Sequence, residues 1–182
     1  MRIVVCVKHV PDMQSERRFE GGRLVRGEDD VLNELDENAI EAAVQLKESE
    51  EDAGREAEVV ALTMGPEDAE DSLMRALQMG ADRAFIVSDE FLEGSDVITT
   101  ASVLSVAIAK IAQECGPVDL VITGMASLDA MTSMLPAALA AKAHMPLLGL
   151  ARSLNVEDGV LTIERAVDGY TETVRAALPA VV

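Results

Sequence analysis

The segment Val118-Asp-Leu-Val-Ile-Thr123 is typical of a buried strand, and the loop Gly124-Met-Ala-Ser-Leu-Asp129 follows it. A helical stretch comes directly after this loop. Two other apolar runs also end in such loops, and helices follow them: Arg2-Ile-Val-Val-Cys-Val-Lys8 into His9-Val-Pro, and Glu58-Val-Val-Ala-Leu-Thr63 into Met64-Gly65-Pro66. Parallel strands need helical crossovers of this kind. We therefore expect a parallel sheet with a nucleotide-sized site outside the carboxyl ends of its strands.

The remaining pattern completes one α/β domain over residues 1–182. Strands are predicted at about residues 2–8, 57–63, 83–87 and 118–123, and helices at about 37–54, 67–79, 97–114 and 132–143. Residues 9–32 are polar and predict a long loop or a hairpin. Asn33 or Asp36 is expected to cap the first long helix, and Ser95 or Asp96 the third.

The last part of the chain has a different pattern. Two Asp-Gly turns, Asp158-Gly159 and Asp168-Gly169, separate runs that read as strands. We therefore expect an α/β body over about residues 1–146, followed by antiparallel strands over about residues 147–182.

Composition excludes several classes of protein. The chain carries 33 acidic and 15 basic residues, a formal net charge of -18, so nucleic acid is not an expected partner. We expect no apolar run to be long enough to span a bilayer, and the N-terminus does not have the pattern of a signal peptide, so a cytoplasmic protein without membrane insertion is expected. Two cysteines and two histidines provide neither a disulfide framework nor a metal-ligand pattern.

Aromatic residues are scarce, with three Phe, one Tyr and no Trp. The core must therefore consist of aliphatic side chains and methionine. No aromatic cluster is available to stack on a flavin ring, so another chain would have to supply most of a flavin pocket.

The stretch Gly124–Pro136 is the best candidate for binding chemistry. A strand end, a small-residue loop and a helix start follow one another, and unpaired N–H groups at a helix start bind phosphate. Thr132 and Ser133 could add hydroxyl donors, and Asp129 could accept a hydrogen bond from a ribose. The same three side chains could simply cap the helix. Lys8 could approach a phosphate or be a plain surface lysine.

Several common motifs are absent. The chain has no Walker loop, no Gly-x-Gly-x-x-Gly and no Ser-Gly-Gly-x-Asp-Ser loop of ATP-activating enzymes. It also offers no recognisable general base or nucleophile, so we do not predict an enzyme.

In order and spacing, the motifs of this chain resemble those of the beta subunits of electron transfer flavoproteins. The resemblance covers nearly the whole chain. The matching stretches are Ile3–Lys8, Val10-Pro-Asp12, Leu32-Asn-Glu-Leu-Asp-Glu-Asn-Ala39, Met64-Gly-Pro66, Ala76–Arg83, Asp119–Gly124 and Leu178-Pro-Ala-Val-Val182.

The resemblance implies a Rossmann-like three-layer fold, of the adenine nucleotide alpha hydrolase-like type. It implies a heterodimer with an alpha subunit, which shares FAD with this chain, and AMP bound structurally by this chain. Electrons would pass from dehydrogenase donors through FAD to the respiratory chain. The cofactor-binding positions that it implies are Cys6 (through its backbone), Asn33, Asp36, Met64, Gly124, Met125, Ala126, Asp129, Thr132, Ser133, Met134 and Leu135.

The chain departs from the family pattern in two places. In the loop, the Lys-Gln pair that often follows the first glycine is Met125-Ala126 here, and a later Gly-Gln pair is Ser133-Met134, whereas Asp129 and Thr132 are retained. Backbone donors would therefore carry more of the binding. Family members also continue past the Leu178–Val182 stretch into a basic docking loop and an arm around the alpha subunit. We therefore expect this chain to lack that C-terminal part, either because it is a fragment or because it lacks those functions. The alternative from another class is a stand-alone AMP- or ATP-binding regulatory module of the universal-stress type.

Overall fold

A computed structural model describes all 182 residues. The strands in chain order are β1 (Arg2–Cys6), β2 (His9–Pro11), β3 (Phe19–Glu20), β4 (Arg23–Leu24), β5 (Asp30–Leu32), β6 (Glu58–Met64), β7 (Arg83–Val87), β8 (Leu120–Thr123), β9 (Ser153–Glu157), β10 (Val160–Val167), β11 (Tyr170–Ala177) and β12 (Ala180–Val181). The helices are α1 (Glu34–Asp52), α2 (Glu70–Gln78), α3 (Val97–Cys115) and α4 (Leu135–Ala143).

The central layer is a five-stranded parallel sheet in the order β12-β8-β1-β6-β7. Helices α1 and α2 contribute to the core on one face, and α3 and α4 contribute to the core on the other. This arrangement confirms the predicted three-layer, Rossmann-like α/β domain. The central strand, β1, is the first strand in the sequence.

Alternating side chains of the sheet fill two separate cores. On β1, Ile3 and Val5 belong to the core under α1 and α2, whereas Val4 and Cys6 belong to the core under α3 and α4. Both faces of the strand are buried, which explains why it reads as an unbroken apolar run.

The polar stretch after β1 forms a hairpin, one of the two alternatives predicted for residues 9–32. Its stem is the antiparallel pair β2–β5, and its outer part is the pair β3–β4. The stem residue Val10 is buried, whereas most of the outer part is exposed.

The C-terminal region forms the predicted antiparallel sheet, with strand order β11-β10-β9. Leu161 and Ile163 of β10 are fully buried and join the core under α1. The prediction was wrong for the last residues, because β12 returns to the main sheet and pairs parallel with β8. Three consecutive small apolar residues show no periodicity, so the sequence pattern alone could not assign them to either sheet.

By length and composition alone, helix α3 is long and apolar enough to cross a membrane. This differs from the expectation that no apolar run would be long enough. A core helix of a folded domain has the same composition, and here Leu104, Ile108 and Ile111 are buried in the core. The helix begins at the predicted cap, where Asp96 Oδ1 accepts a hydrogen bond of 2.7 Å from the N–H of Thr99.

Candidate functional site

The carboxyl ends of β6, β1 and β8 lie side by side at one edge of the central sheet. The register places Cys6 next to Leu62 on one side and Thr123 on the other. From this edge the chain enters the loop that follows β8, hereafter the nucleotide loop (residues 124–134), and the hairpin that follows β1. The predicted ligand loop and the start of α1 therefore meet at one place.

Asp36, in the first turn of α1, lies at the centre of this edge. It is 5% exposed, and its Oδ2 accepts a hydrogen bond of 2.8 Å from the backbone N–H of Lys8. Burial raises the pKa of Asp36 to about 7, although the Asn33 side chain and the N–H groups of Lys8 and Gly124 act in the opposite direction. The carboxyl group thus joins the end of β1 to the start of the nucleotide loop.

Gly124 is required by this close approach. A Cβ at this position would overlap Asp36 Oδ1 and lie 3.1 Å from the carbonyl carbon and oxygen of Leu35. Only a residue without a side chain lets the end of β8 come so near to α1.

Asn33 also binds the nucleotide loop, and it does so from the residue before α1. Its side chain is completely buried, donates a hydrogen bond of 2.9 Å to the carbonyl of Ala126 and accepts one of 3.0 Å from the N–H of Leu128. Asn33 occupies the N-cap position of α1, as predicted, but neither its side chain nor that of Asp36 makes a capping hydrogen bond to the helix. Both side chains bind other segments of the crevice instead.

Asp129 is held by two cations. Its side chain is 1% exposed, lies 2.9 Å from Lys8 Nζ and forms a second ion pair with Arg26. Burial acts to raise the pKa of Asp129, but hydrogen bonds from Arg26, Lys8 and Ser127 outweigh it and lower the pKa below its ordinary value. Asp129 is therefore charged and already partnered, so a ribose hydroxyl would have to compete with these cations.

Helix α4 begins later than predicted, at Leu135 instead of about residue 132, and no side chain caps it. The interpretation of Asp129, Thr132 or Ser133 as a helix cap was therefore wrong. The intervening residues Ala130 to Met134 form an exposed loop. Because Met131 and Met134 are apolar, the sequence of this loop resembles the beginning of an apolar helix.

The exposed part of the nucleotide loop presents unpaired N–H groups. The backbone amides of Thr132, Ser133, Met134 and Leu135 have no partner among the backbone or side-chain hydrogen bonds. Ser133 has a positive φ of 52°, and Met134 follows in the right-handed helical region. Such an alternation turns consecutive N–H groups toward one point and forms a concavity that binds anions.

Cys6 and Met64 are placed differently with respect to this loop. Cys6 is buried at the end of β1, where burial and then the charge of Asp36 raise the pKa of its thiol to about 12. Only the backbone of Cys6 is thus available to a ligand. Met64 ends β6, on the other side of β1 from the nucleotide loop, and no hydrogen bond joins it to that loop.

The structure brings together most of the predicted positions, but it also adds two that sequence reasoning missed. These are Arg26, which pairs with Asp129, and Arg17, which donates a hydrogen bond of 3.2 Å to the carbonyl of Leu128. A signal was present, because four arginines fall within residues 17–26 of a chain that is otherwise strongly acidic.

The arrangement is suited to holding an anion rather than to covalent chemistry. It offers free backbone N–H groups, exposed hydroxyls on Thr132 and Ser133, and cations nearby. The thiol of Cys6 is kept protonated, and no group of three His, Cys, Asp or Glu side chains could hold a metal ion. These features fit the phosphate of a nucleotide, which is recognised by N–H donors and positive charge.

Comparison with known families supports the resemblance to electron transfer flavoproteins over most of the chain. Residues 22–182 match the electron transfer flavoprotein domain. The chain is 40% identical over 183 residues to the electron transfer flavoprotein subunit beta of Mycobacterium leprae, with 99% of this chain and 67% of that protein covered.

Two other relatives carry different names. Protein FixA of Sinorhizobium fredii is 34% identical, with 100% of this chain and 64% of that protein covered. The caffeyl-CoA reductase-Etf complex subunit CarD of Acetobacterium woodii is 34% identical, with 98% and 66% covered. The chain therefore spans about two thirds of the length of these relatives. From these matches and the confirmed fold, we conclude that the chain belongs to the electron transfer flavoprotein family, in its beta-subunit and FixA branch.

Proposed function

We propose that this chain is the nucleotide-binding half of a heterodimeric electron carrier, an electron transfer flavoprotein beta subunit. Together with an alpha subunit it would carry electrons through FAD from dehydrogenases to the respiratory chain. The relatives named for electron transfer support this role over nearly the full length of the chain. On this proposal the chain is an electron-carrier subunit located in the cytoplasm, without insertion into a membrane.

The chain's own ligand on this proposal is AMP, bound for structural purposes. The single observation that carries this assignment is the run of unpaired N–H groups from Thr132 to Leu135 at the carboxyl edge of the sheet. With Met125 and Ala126 in place of polar side chains, the phosphate would be held by these N–H groups. Cys6, Asn33, Asp36, Gly124 and Asp129 would shape the crevice around it, and Met64 would lie at its far side.

The flavin would be bound jointly with the alpha subunit. The chain has no tryptophan, and its one tyrosine, Tyr170, lies exposed on β11, far along the chain from the nucleotide loop. An isoalloxazine ring usually packs against large flat side chains. Such groups would have to come mainly from the partner.

Two substitutions at Ser133 test the role of the backbone. Ser133→Gly removes the hydroxyl but keeps the positive φ, so AMP affinity should stay within about threefold of the wild type. Ser133→Val disfavours a positive φ, and it should weaken AMP binding by about tenfold or more. Calorimetric titration with AMP measures both. Strong loss with glycine and none with valine would contradict binding by the backbone.

Co-expression with an alpha subunit tests the larger role. The expected result is a yellow heterodimer that releases one FAD and one AMP per complex on denaturation, measured by mass spectrometry. The universal-stress alternative predicts a colourless homodimer that binds AMP or ATP, and the family assignment does not favour it. A colourless chain that contains no nucleotide and does not bind the alpha subunit would contradict the proposed function.

A further inference from the structure

The hairpin outer part, residues 12–29, contacts loops that leave the carboxyl edge of the central sheet. It contacts the nucleotide loop through Arg17, which donates a hydrogen bond of 3.2 Å to the carbonyl of Leu128, and through the ion pair of Arg26 with Asp129. It also reaches the segment after β7, where Arg23 lies 3.7 Å from Glu93. The hairpin thus touches two of the loops that leave the carboxyl edge of the sheet.

These contacts are polar, and the three arginines that make them are exposed, although the side chain of Asp129 is 1% exposed. No residue from 12 to 29 is buried, and Met13 and Phe19 are exposed by 53% and 69%. A segment without buried apolar contacts opens at low free energy, because little surface is exposed on opening. The stem is different, because its residues Val10 of β2 and Leu32 of β5 are buried. The outer part can therefore move while the stem stays in place.

The charges under the hairpin do not balance. Asp129 carries one negative charge, whereas Lys8 and Arg26 both contact it. Arg17 has no carboxylate partner and bonds only to a carbonyl oxygen. Three cations thus contact residues 128 and 129 of the nucleotide loop against the single carboxylate of Asp129. The hairpin's own acids, Asp12, Glu16, Glu20, Glu28 and Asp29, make no ion pair with that loop.

We propose that residues 12–29 form a lid over the nucleotide site, and that Arg17 and Arg26 on this lid provide the positive charge that selects a phosphorylated ligand. This inference rests on the proposed AMP site. Arg26 also keeps Asp129 neutralised, so that its carboxylate does not repel the phosphate. Met125 in the nucleotide loop carries no charge, so on this proposal the positive charge comes from the arginines of the lid instead.

Paired titrations with AMP and adenosine test the selection of phosphate. Arg26→Gln and Arg17→Gln should each weaken AMP binding by about tenfold, because a charge-assisted contact is lost, and should leave adenosine binding unchanged. Arg26→Lys should recover part of the AMP affinity. The matched control is Arg18→Gln, on the same hairpin, because Arg18 pairs with Glu28 of the hairpin and not with the loop.

Hydrogen exchange tests the movement of the lid. Saturating AMP should slow amide exchange over residues 12–29 in the wild type, and adenosine should have a much smaller effect. If AMP binds the wild type but neither arginine variant differs from Arg18→Gln, or if exchange of the hairpin does not respond, the lid proposal is wrong and the proposed AMP site stands. If the wild type binds neither compound, the AMP site and the lid are both wrong.

Discussion

Asp36 and Gly124 show how two single residues hold the crevice together. The carboxyl group of Asp36 accepts a hydrogen bond from the N–H of Lys8, which follows β1, and lies against the backbone at Gly124, which follows β8. Burial of an acid without a cation directly on it costs free energy, which the raised pKa reports. The same carboxyl group joins the segments that follow β1 and β8.

The fit at Gly124 can be tested by adding one methyl group. Gly124→Ala should lower the free energy of unfolding by about 1–3 kcal/mol or more, because the new Cβ meets Asp36 and the backbone of Leu35. Urea denaturation measures the change. The control is Gly149→Ala, since a Cβ there meets nothing within 4 Å. Equal effects at the two glycines would show that the contact is not tight.

Asp36 should also give the stability a distinct pH dependence. Its pKa is raised by burial from 3.8 to about 7, so the folded chain binds more protons than the unfolded chain between these values. Its contribution is therefore fully present below about pH 4 and is lost as the pH rises through 7. Between pH 5 and pH 8 this loss is on the order of 2 kcal/mol.

Urea denaturation of Asp36→Asn at several pH values isolates this contribution. The variant cannot titrate at this position, so its stability should change much less than that of the wild type between pH 5 and pH 8. Glu34→Gln, an exposed change in the same helix turn, is the control and should keep the slope of the wild type. A wild-type slope in both variants would assign the titration to another group.

At the scale of elements, β12 is short but structurally important. Ala180 and Val181 are completely buried, and the N–H of Val182 donates a hydrogen bond of 2.8 Å to the carbonyl of Val121 in β8. The carbonyl of Val182 in turn accepts a bond of 2.9 Å from the N–H of Thr123. This strand therefore covers the outer side of β8, directly before the nucleotide loop.

Removal of β12 should be costly. A chain shortened to end at Leu178 loses the burial of Val181 and its neighbours, and we expect roughly 3–5 kcal/mol less stability from the lost apolar area alone. Thermal unfolding by circular dichroism measures the loss. Tyr170→Ser, which changes an exposed residue of β11, should have little effect. An unchanged melting temperature after the truncation would exclude a structural role for β12.

The elements that carry strong periodicity could be predicted from the sequence, whereas the boundaries near the site could not. The strand Arg83–Val87 and the helix from Val97 onward were predicted within a residue or so, because apolar runs and an Asp cap define them. The start of α4 was missed because Met131 and Met134 resemble helix residues but are exposed. Whether a methionine is buried or exposed depends on tertiary packing, which the local sequence pattern does not report.

At the scale of the whole molecule, charge acts against the compact state. With a net charge of -18, we expect the repulsion among carboxylates to exceed the attraction within the ion pairs, which are mostly at the surface. Raising NaCl from 0.05 to 0.5 M, concentrations chosen for about a threefold change in Debye length, should therefore stabilise the chain by an amount on the order of 1 kcal/mol. The urea midpoint measures this effect. A decrease with salt would mean that local ion pairs dominate instead.

The general location of the crevice could be predicted from the sequence, but its internal bonding could not. Parallel strands ending in small-residue loops indicated the edge of the sheet that holds the candidate site. The ion pair of Arg26 with Asp129 joins residues that are 103 positions apart. Such a contact depends on where the hairpin folds, so composition alone could show only that arginines cluster in residues 17–26.

The central position of β1 also has a consequence for folding kinetics. Ile3 pairs with Val59 on one side and Leu120 on the other, so the first strand has to wait for partners that come much later in the chain. Closing such large loops costs entropy before any contact compensates for it, and chains with distant pairings fold in milliseconds to seconds. During synthesis the apolar segment Ile3–Val7 is therefore made long before the strands that pair with it and the helices that cover it. We expect a chaperone to bind the nascent polypeptide at this segment.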